Sequence, residues 1–281
     1  MVGSGSVAWE KLCKPKKATG IGFMNISDWN RAALIKNVWS IATKKDNLWV
    51  KWVHNVYIKH EEWWGYNAPS HSSWYWRKMV NIKDEVKHLM DPMQFTLDTY
   101  QISSGYKLLN QVQERFHWSK EVWCRLNSPK HSFVLWIAIQ NRLKTRERLH
   151  RFNITKDSTC ILCNGADETV KHLFFDCSFS QDCLQQLKKW LGWRAHTESL
   201  QGLLRWIERS KKRKFQKNVL AASVAALVYH LWQARNNKIW QSSIVTPKLL
   251  VQEEKWQINT RITCVMPRHV AQGDMAWFDL L

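Results

Sequence analysis

The sequence predicts a mainly α-helical array with a short β-hairpin and a small CCHC zinc module. Three observations carry that expectation. Apolar residues recur at helical spacing along most of the chain. One stretch, "MQFTLDTYQI" (residues 93–102), alternates and is rich in β-formers instead. And "CILCNGADETVKHLFFDC" gathers three cysteines and a histidine into residues 160–177. The 281 residues are 45% hydrophobic and 23% charged, which suits a globular chain with room for one large core or two modest ones.

The elements follow in order. Residues up to about 20 are rich in Gly, Ser, Lys and Pro and read as loose. Ser27 or Asp28 caps a first helix whose stripe is Ala32, Ile35, Trp39 and Ala42. Leu48, Trp49, Trp52, Val53, Val56 and Tyr57 mark a second helix over residues 48–58. "GYNAPSHSS" is a loop, and "SWYWRKMVNIKDEVKHLM" returns to helix. "MQFTLDTYQI" is expected to be the hairpin. Helix resumes at "SSGYKLLNQV", turns at "EVWCRL", and continues through "KHSFVLWIAIQNRL" with Phe133, Trp136, Ile137 and Leu143 on one side. Thr145 caps "RERLHRF". "SQDCLQQLKKWLGW" is amphipathic and stops near Gly192, residues 216–241 form one long helix, and "LLVQEEKWQINTRI" can form a last one. The apolar run "VLAASVAALVYHLW" is too short and too interrupted to span a bilayer, so it reads as a buried helix. Nineteen tryptophans read mostly as packing.

Zinc in a structural site takes four Cys or His ligands in a tetrahedron. Cys160 and Cys163 suit a knuckle that turns both thiolates to one point. Asn164-Gly165 turns the chain back, Thr169 or Asp167 caps a short helix carrying His172, and Cys177 completes the set. Four protein ligands leave no position for water, so Zn2+ would be structural. The bland alternative is a group of small buried hydrophobes, which need no such spacing. Cys183 competes for the fourth place. Cys13, Cys124 and Cys264 have no partner at ligand spacing, and His150 reads as a surface or core residue. Seven cysteines after an N-terminus without an apolar signal-type run argue against a disulfide framework and for an intracellular, reducing location.

The residues also carry a resemblance. "PKHSFVLWIAIQNRLKTRERLHRFNI" followed by the cysteine motif is similar to the zinc-binding domain that follows the polymerase in plant non-LTR (LINE-type) retrotransposon reverse transcriptases. Pro129, Lys130, Trp136, Leu143, Thr145, Arg146 and Leu149 stand at that family's pattern positions. Cys160, Cys163, His172 and Cys177 stand at its ligand positions. "VAWEKLCKPKKATGIGFMNISDWNRAALIKNVW" resembles the segment beyond the polymerase palm, with Ala18-Thr19-Gly20 where two adjacent glycines are usual. "QFTLDTYQISSGYKLL" and "VYHLWQARNNKIW" resemble segments before and after the zinc module. The resemblance implies three parts: 1–90, a post-palm helical segment; 91–195, the zinc-binding domain; and 196–281, a basic helical region.

The parent family is an RNA-directed DNA polymerase, whose chemistry needs paired carboxylates on metal ions. No two aspartates are adjacent in this chain, and beyond Cys183 the only acids are Glu198, Glu208, Glu253, Glu254, Asp274 and Asp279. A non-catalytic chain is therefore expected. The formal net charge of +19 favours nucleic acid, RNA or DNA, as the partner. Lys130, Arg142, Lys144, Arg146, Arg148 and Arg151 cluster around the zinc motif as candidate phosphate contacts. The alternatives are a helical scaffold stapled by zinc, docking a reverse transcriptase core or another protein, and a decayed product without activity. "KKRKFQK" (residues 211–217) reads equally as a nuclear localisation signal, a nucleic-acid patch or a solvated helix start. No membrane partner is expected.

Overall fold

The computed structural model describes residues 7–89, 91–97, 99–110 and 114–281. It is mainly helical, and the packing forms two compact units: residues 22–114, and residues 115–281 together with the segment before residue 22. Residues of the 91–195 and 196–281 segments meet in one shared core of the larger unit.

The larger unit begins with α1 (Trp9–Cys13); the smaller holds α2 to α6. Helix α2 (Ile26–Ala42) is capped by Asn25, whose side chain accepts from the N–H groups of Ser27 and Asp28, rather than by Ser27 or Asp28 themselves. It buries Ala32, Ile35, Val38 and Ile41. Trp39 and Ala42, placed in the stripe by the sequence, are only half-buried. Helix α3 (Leu48–Val53) passes into a π turn (His54–Ile58). Val50, Val53 and Ile58 are buried while Leu48, Trp52 and Val56 face solvent; the turn carries the buried face from Val53 on to Ile58, five residues along. Helix α4 (Trp74–Leu89) centres this core on Trp76, which stacks on Tyr57 and donates from Nε1 to the Tyr66 hydroxyl. Lys83 is fully buried in the same helix. Its ammonium is satisfied by the Tyr66 carbonyl at 2.6 Å and by Asp84 at 3.0 Å, as a buried cation requires.

No hairpin forms between Pro92 and Ile102 among the described residues. Instead α5 (Pro92–Leu97) and α6 (Ile102–Leu109) occupy this stretch. The cause is the Asp91-Pro92 start. The Asp91 carboxylate accepts from Met93 N–H and its carbonyl from Phe95 N–H, while proline at the first helical position loses no bond. Only Phe95 of the alternating set is buried here; Met93 and Leu97 are exposed. The Tyr100 hydroxyl donates to the Ala32 carbonyl and wedges against Gly105, where a β-carbon would lie 1.6 Å from it. Glycine alone permits that close packing of α2 on α6.

In the larger unit, α7 (Ser119–Val122), α8 (Pro129–Ile139), α10 (Ser178–Trp190), α11 (Leu200–Arg209) and α13 (Pro247–Val265) pack around α12 (Lys214–Trp240), with the short α9 (Arg146–Arg151) beside the cysteine motif and α14 (Gln272–Asp279) at the end. Every residue of α12 from Val219 to Val228 is buried. A stretch apolar all round must be a core helix or a membrane span, and among the described residues no helix is long and apolar enough to cross a membrane. Trp136, fully buried, donates from Nε1 to the Thr19 carbonyl at 2.6 Å and so ties the N-terminal segment to α8.

Candidate metal centre

Cys160, Cys163, His172 and Cys177 lie on two local devices. The first is a tight turn: Asn164 N–H donates to the Cys160 carbonyl and Cys160 N–H to that of Ala166. Asn164 takes a left-handed φ of 56°, which asparagine tolerates better than most residues. A single antiparallel bridge, Thr159 to Asp167, closes the base. The β-structure of the described residues thus sits in the knuckle and not upstream of it. Gly165 N–H donates to Cys163 Sγ at 3.4 Å.

The second device is a π turn, His172–Asp176. Thr169, not Asp167, caps the helical stretch: its hydroxyl accepts from His172 N–H at 2.9 Å. Cys177 N–H closes on the His172 carbonyl at 2.8 Å. An i→i+5 bond stacks residues five apart on one side, so the histidine and the cysteine face one point. Ser180 Oγ donates to the Leu173 carbonyl at 2.6 Å where the turn gives way to α10.

The four ligand atoms lie within 4.8 Å of one another, and this is the group of metal-binding side chains found among the described residues. Cys163 Sγ is 3.2 Å from His172 Nε2, and Cys160 Sγ is 3.9 Å from Cys177 Sγ. A tetrahedron built on Zn–S of about 2.3 Å and Zn–N of about 2.0–2.1 Å has S···S edges of about 3.8 Å and S···N edges of about 3.6 Å. The donor set is therefore compatible with zinc in kind, number and spacing. Cys160, Cys177 and His172 are buried and Cys163 is half-buried. A thiol–thiol hydrogen bond links Cys160 to Cys177. That bond and burial push the Cys160 thiol up; the same bond, with the Ser180 and Phe179 N–H groups, holds Cys177 down at about 5 despite burial.

The other sulfur and nitrogen candidates lie elsewhere. Cys183 is fully buried, near the Pro247 carbonyl, and burial pushes its thiol up to about 12. His150 faces the Thr155 carbonyl. Cys124 lies near the Asn218 carbonyl, Cys13 is half-buried and Cys264 is exposed.

The basic cluster around the motif is largely engaged within the chain. Arg146 pairs with Asp157 at 2.8 Å, Arg151 with Glu147, and Arg148 donates to the Asn141 carbonyl. Lys130 lies over the Tyr229 ring, and the Lys144 side chain is exposed. Arg142 is half-buried.

Sequence reasoning missed the support beneath the knuckle. Glu168 and Arg235 are 0% and 3% exposed and form an ion pair. Glu168 Oε1 accepts from Arg235 Nε at 2.9 Å, from Arg235 Nη2 at 2.7 Å and from Arg146 N–H at 2.9 Å. The last contact caps α9, a role expected of Thr145, whose side chain makes no cap bond. Arg235 also reaches the Asn236 side chain and the Lys144 carbonyl, and lies over the Trp232 ring. One carboxylate thus fastens the knuckle to α9 and α12.

Residues 100–183 match the family described as zinc-binding in reverse transcriptase. The match covers that zinc-binding domain and not the catalytic domain. A protein of Arabidopsis thaliana named "Putative ribonuclease H protein" is 30% identical over 89 residues, which is 29% of this chain and 14% of that protein. The chain therefore spans a small part of that relative's length. No solved structure matches.

Proposed function

We propose, from a chain whose residues 100–183 carry a retrotransposon-derived reverse-transcriptase zinc-binding domain, that the protein is a non-catalytic nucleic-acid-binding module with a structural zinc. The observation that carries this reading is the enclosed Cys160, Cys163, His172 and Cys177 set. Zinc on four protein ligands has no open position; there it would contribute folding energy rather than activate water. The net charge of +19 supports a polyanionic partner through counterion release.

The acids support the non-catalytic part. Glu254 is wholly buried on α13, and Asp274 receives Gln216 at 3.0 Å and Arg213 at 3.9 Å. Neither belongs to a group of metal-binding side chains among the described residues. A scaffold reading has one observation in its favour: Trp52 and Trp74 of the smaller unit are 49% and 73% exposed, a surface suited to a protein partner. Metal analysis with a salt series of binding to RNA and DNA tests the proposal. One zinc per chain and a steep fall of affinity with salt are expected. Magnesium-dependent primer extension by the purified chain, or weak and salt-independent binding, would overturn it.

A further inference from the structure

The cation cluster that the zinc motif does not use lies at the corner between α11 and α12. An open cleft of about 800 Å3 there is lined by Trp206, Arg209, Lys211, Lys212, Arg213 and Gly273, with no acidic side chain in its wall. Its charges are not alike in their surroundings. Arg213 leans toward Asp274, and Lys212 lies over the Trp277 ring. Arg209 and Lys211 are exposed, and their side chains make no ion pair or hydrogen bond with the described residues. Arg205, one turn before Arg209 on α11, is exposed as well. Like charges four residues apart on a helix repel; the half-buried Glu208 of the same helix offsets only part of this, so an external anion would stabilise the face. The contrast is with the arginines of α9: Arg146, Arg148 and Arg151 already hold partners in the chain.

The cleft also has an aromatic floor. Trp206 is half-buried and stacked on Trp193 at 5.5 Å, which fixes its ring. A fixed ring edged by uncompensated cations suits a sugar-phosphate strand, whose charge is repeated and whose bases have flat faces.

We propose that the α11–α12 cleft, through Arg209 and Lys211, is the principal phosphodiester-binding site of the chain, gripping single-stranded nucleic acid. This rests on the nucleic-acid reading above and relocates its main contact away from the zinc motif.

The test measures the affinity of the full chain for a fluorescein-labelled oligouridylate across a salt series. The variants are R209A/K211A in the cleft, R148A/R151A at the zinc motif, and K36A/K78A, which removes the same charge from exposed positions of the smaller unit. The cleft pair is expected to lose at least about fivefold in affinity and to flatten the salt slope by about 1.4, at about 0.7 per phosphate contact on a single strand. The other two pairs should change the slope far less. Acetylation of Lys211 in the unaltered protein should also fall when the oligonucleotide is bound, a readout that needs no variant. Equal losses in all three pairs, or no protection of Lys211, would overturn the assignment while leaving nucleic-acid binding intact. An unaltered protein that binds no oligonucleotide even at low salt would instead overturn the nucleic-acid reading itself. Should R209A/K211A lose zinc or helix content, R209Q/K211Q and the acetylation readout decide.

Discussion

Replacing Arg235 with methionine should destabilise the protein more than replacing its partner Glu168 with glutamine. Arg235 supplies two of the three donors on Glu168 Oε1, and both side chains are almost wholly buried. Methionine fills similar apolar volume but leaves a buried carboxylate with only the Arg146 N–H. Glu168 Oε2 has no hydrogen-bond partner to offset the loss. Breaking a buried pair from one side costs about 3–5 kcal/mol, a large part of the about 5–15 kcal/mol of a typical domain. Glu168→Gln is the asymmetric control. Its amide oxygen can still accept from Arg146 and Arg235, and Arg235 retains the Asn236 side chain, the Lys144 carbonyl and the Trp232 face. It should cost about 1–2 kcal/mol, the scale of weakened charge-assisted hydrogen bonds. Denaturant unfolding at fixed excess zinc measures both, since free metal concentration would otherwise shift the midpoint. Hydrogen exchange should show the loss first in the knuckle and α9, the segments that Glu168 fastens. If R235M costs under about 1 kcal/mol, or E168Q costs more than R235M, the fastening role is wrong.

Three further outcomes are expected. Cys163→Ser should lose zinc and unfold at least residues 145–190, because apparent zinc binding energies of about 10–16 kcal/mol match or exceed a domain's stability; Cys183→Ser should keep its zinc, and metal analysis with hydrogen exchange separates the two. Glu254 is buried with both oxygens unpartnered, and burial raises its carboxyl well above the ordinary value. The folded chain thus holds it protonated while the unfolded chain ionises above about 4.5, so stability is full below that pH and falls above it. Glu254→Met should remove this loss and raise stability at pH 7 by more than about 1 kcal/mol in urea unfolding. His131, its ring tilted against Tyr229 and edge-on to His230, is held neutral by burial down to about 3. Here the unfolded chain gains the proton first, so stability is lost as pH falls below about 6.5; relative to His131→Phe, the unaltered protein should lose about 1.4 kcal/mol by pH 5.5.

The grouping of Cys160, Cys163, His172 and Cys177 was legible because the four are local: a turn and a helix end within one short stretch bring them together. The long buried helix was legible for a similar reason, since residues 219–228 of α12 form a continuous run of apolar and small side chains that is buried on every face. The expected hairpin was misjudged because alternation outweighed the Asp91-Pro92 start, which fixes a helix in one turn. The basic residues around the motif were visible, but their carboxylate and carbonyl partners were not, since charge in a sequence does not show which ion pairs folding will close. Glu168 and Arg235 stand 67 positions apart, and nothing local marks either one.

Cys177 ends one segment and starts another. Its backbone is extended (φ −68°, ψ 127°), so the π turn stops at it and α10 begins directly after it. One residue thus sets two placements at once: its thiol faces Cys160, and its backbone aims α10, whose Cys183, Leu184 and Leu187 enter the core. The turn is anchored at both ends, by the Thr169 hydroxyl on His172 N–H and by the His172 carbonyl on Cys177 N–H. A deletion within 173–176 would break the second closure and move the start of α10 relative to the knuckle. Length in this segment is therefore constrained twice over, by the grouping of the four side chains and by the core that α10 enters.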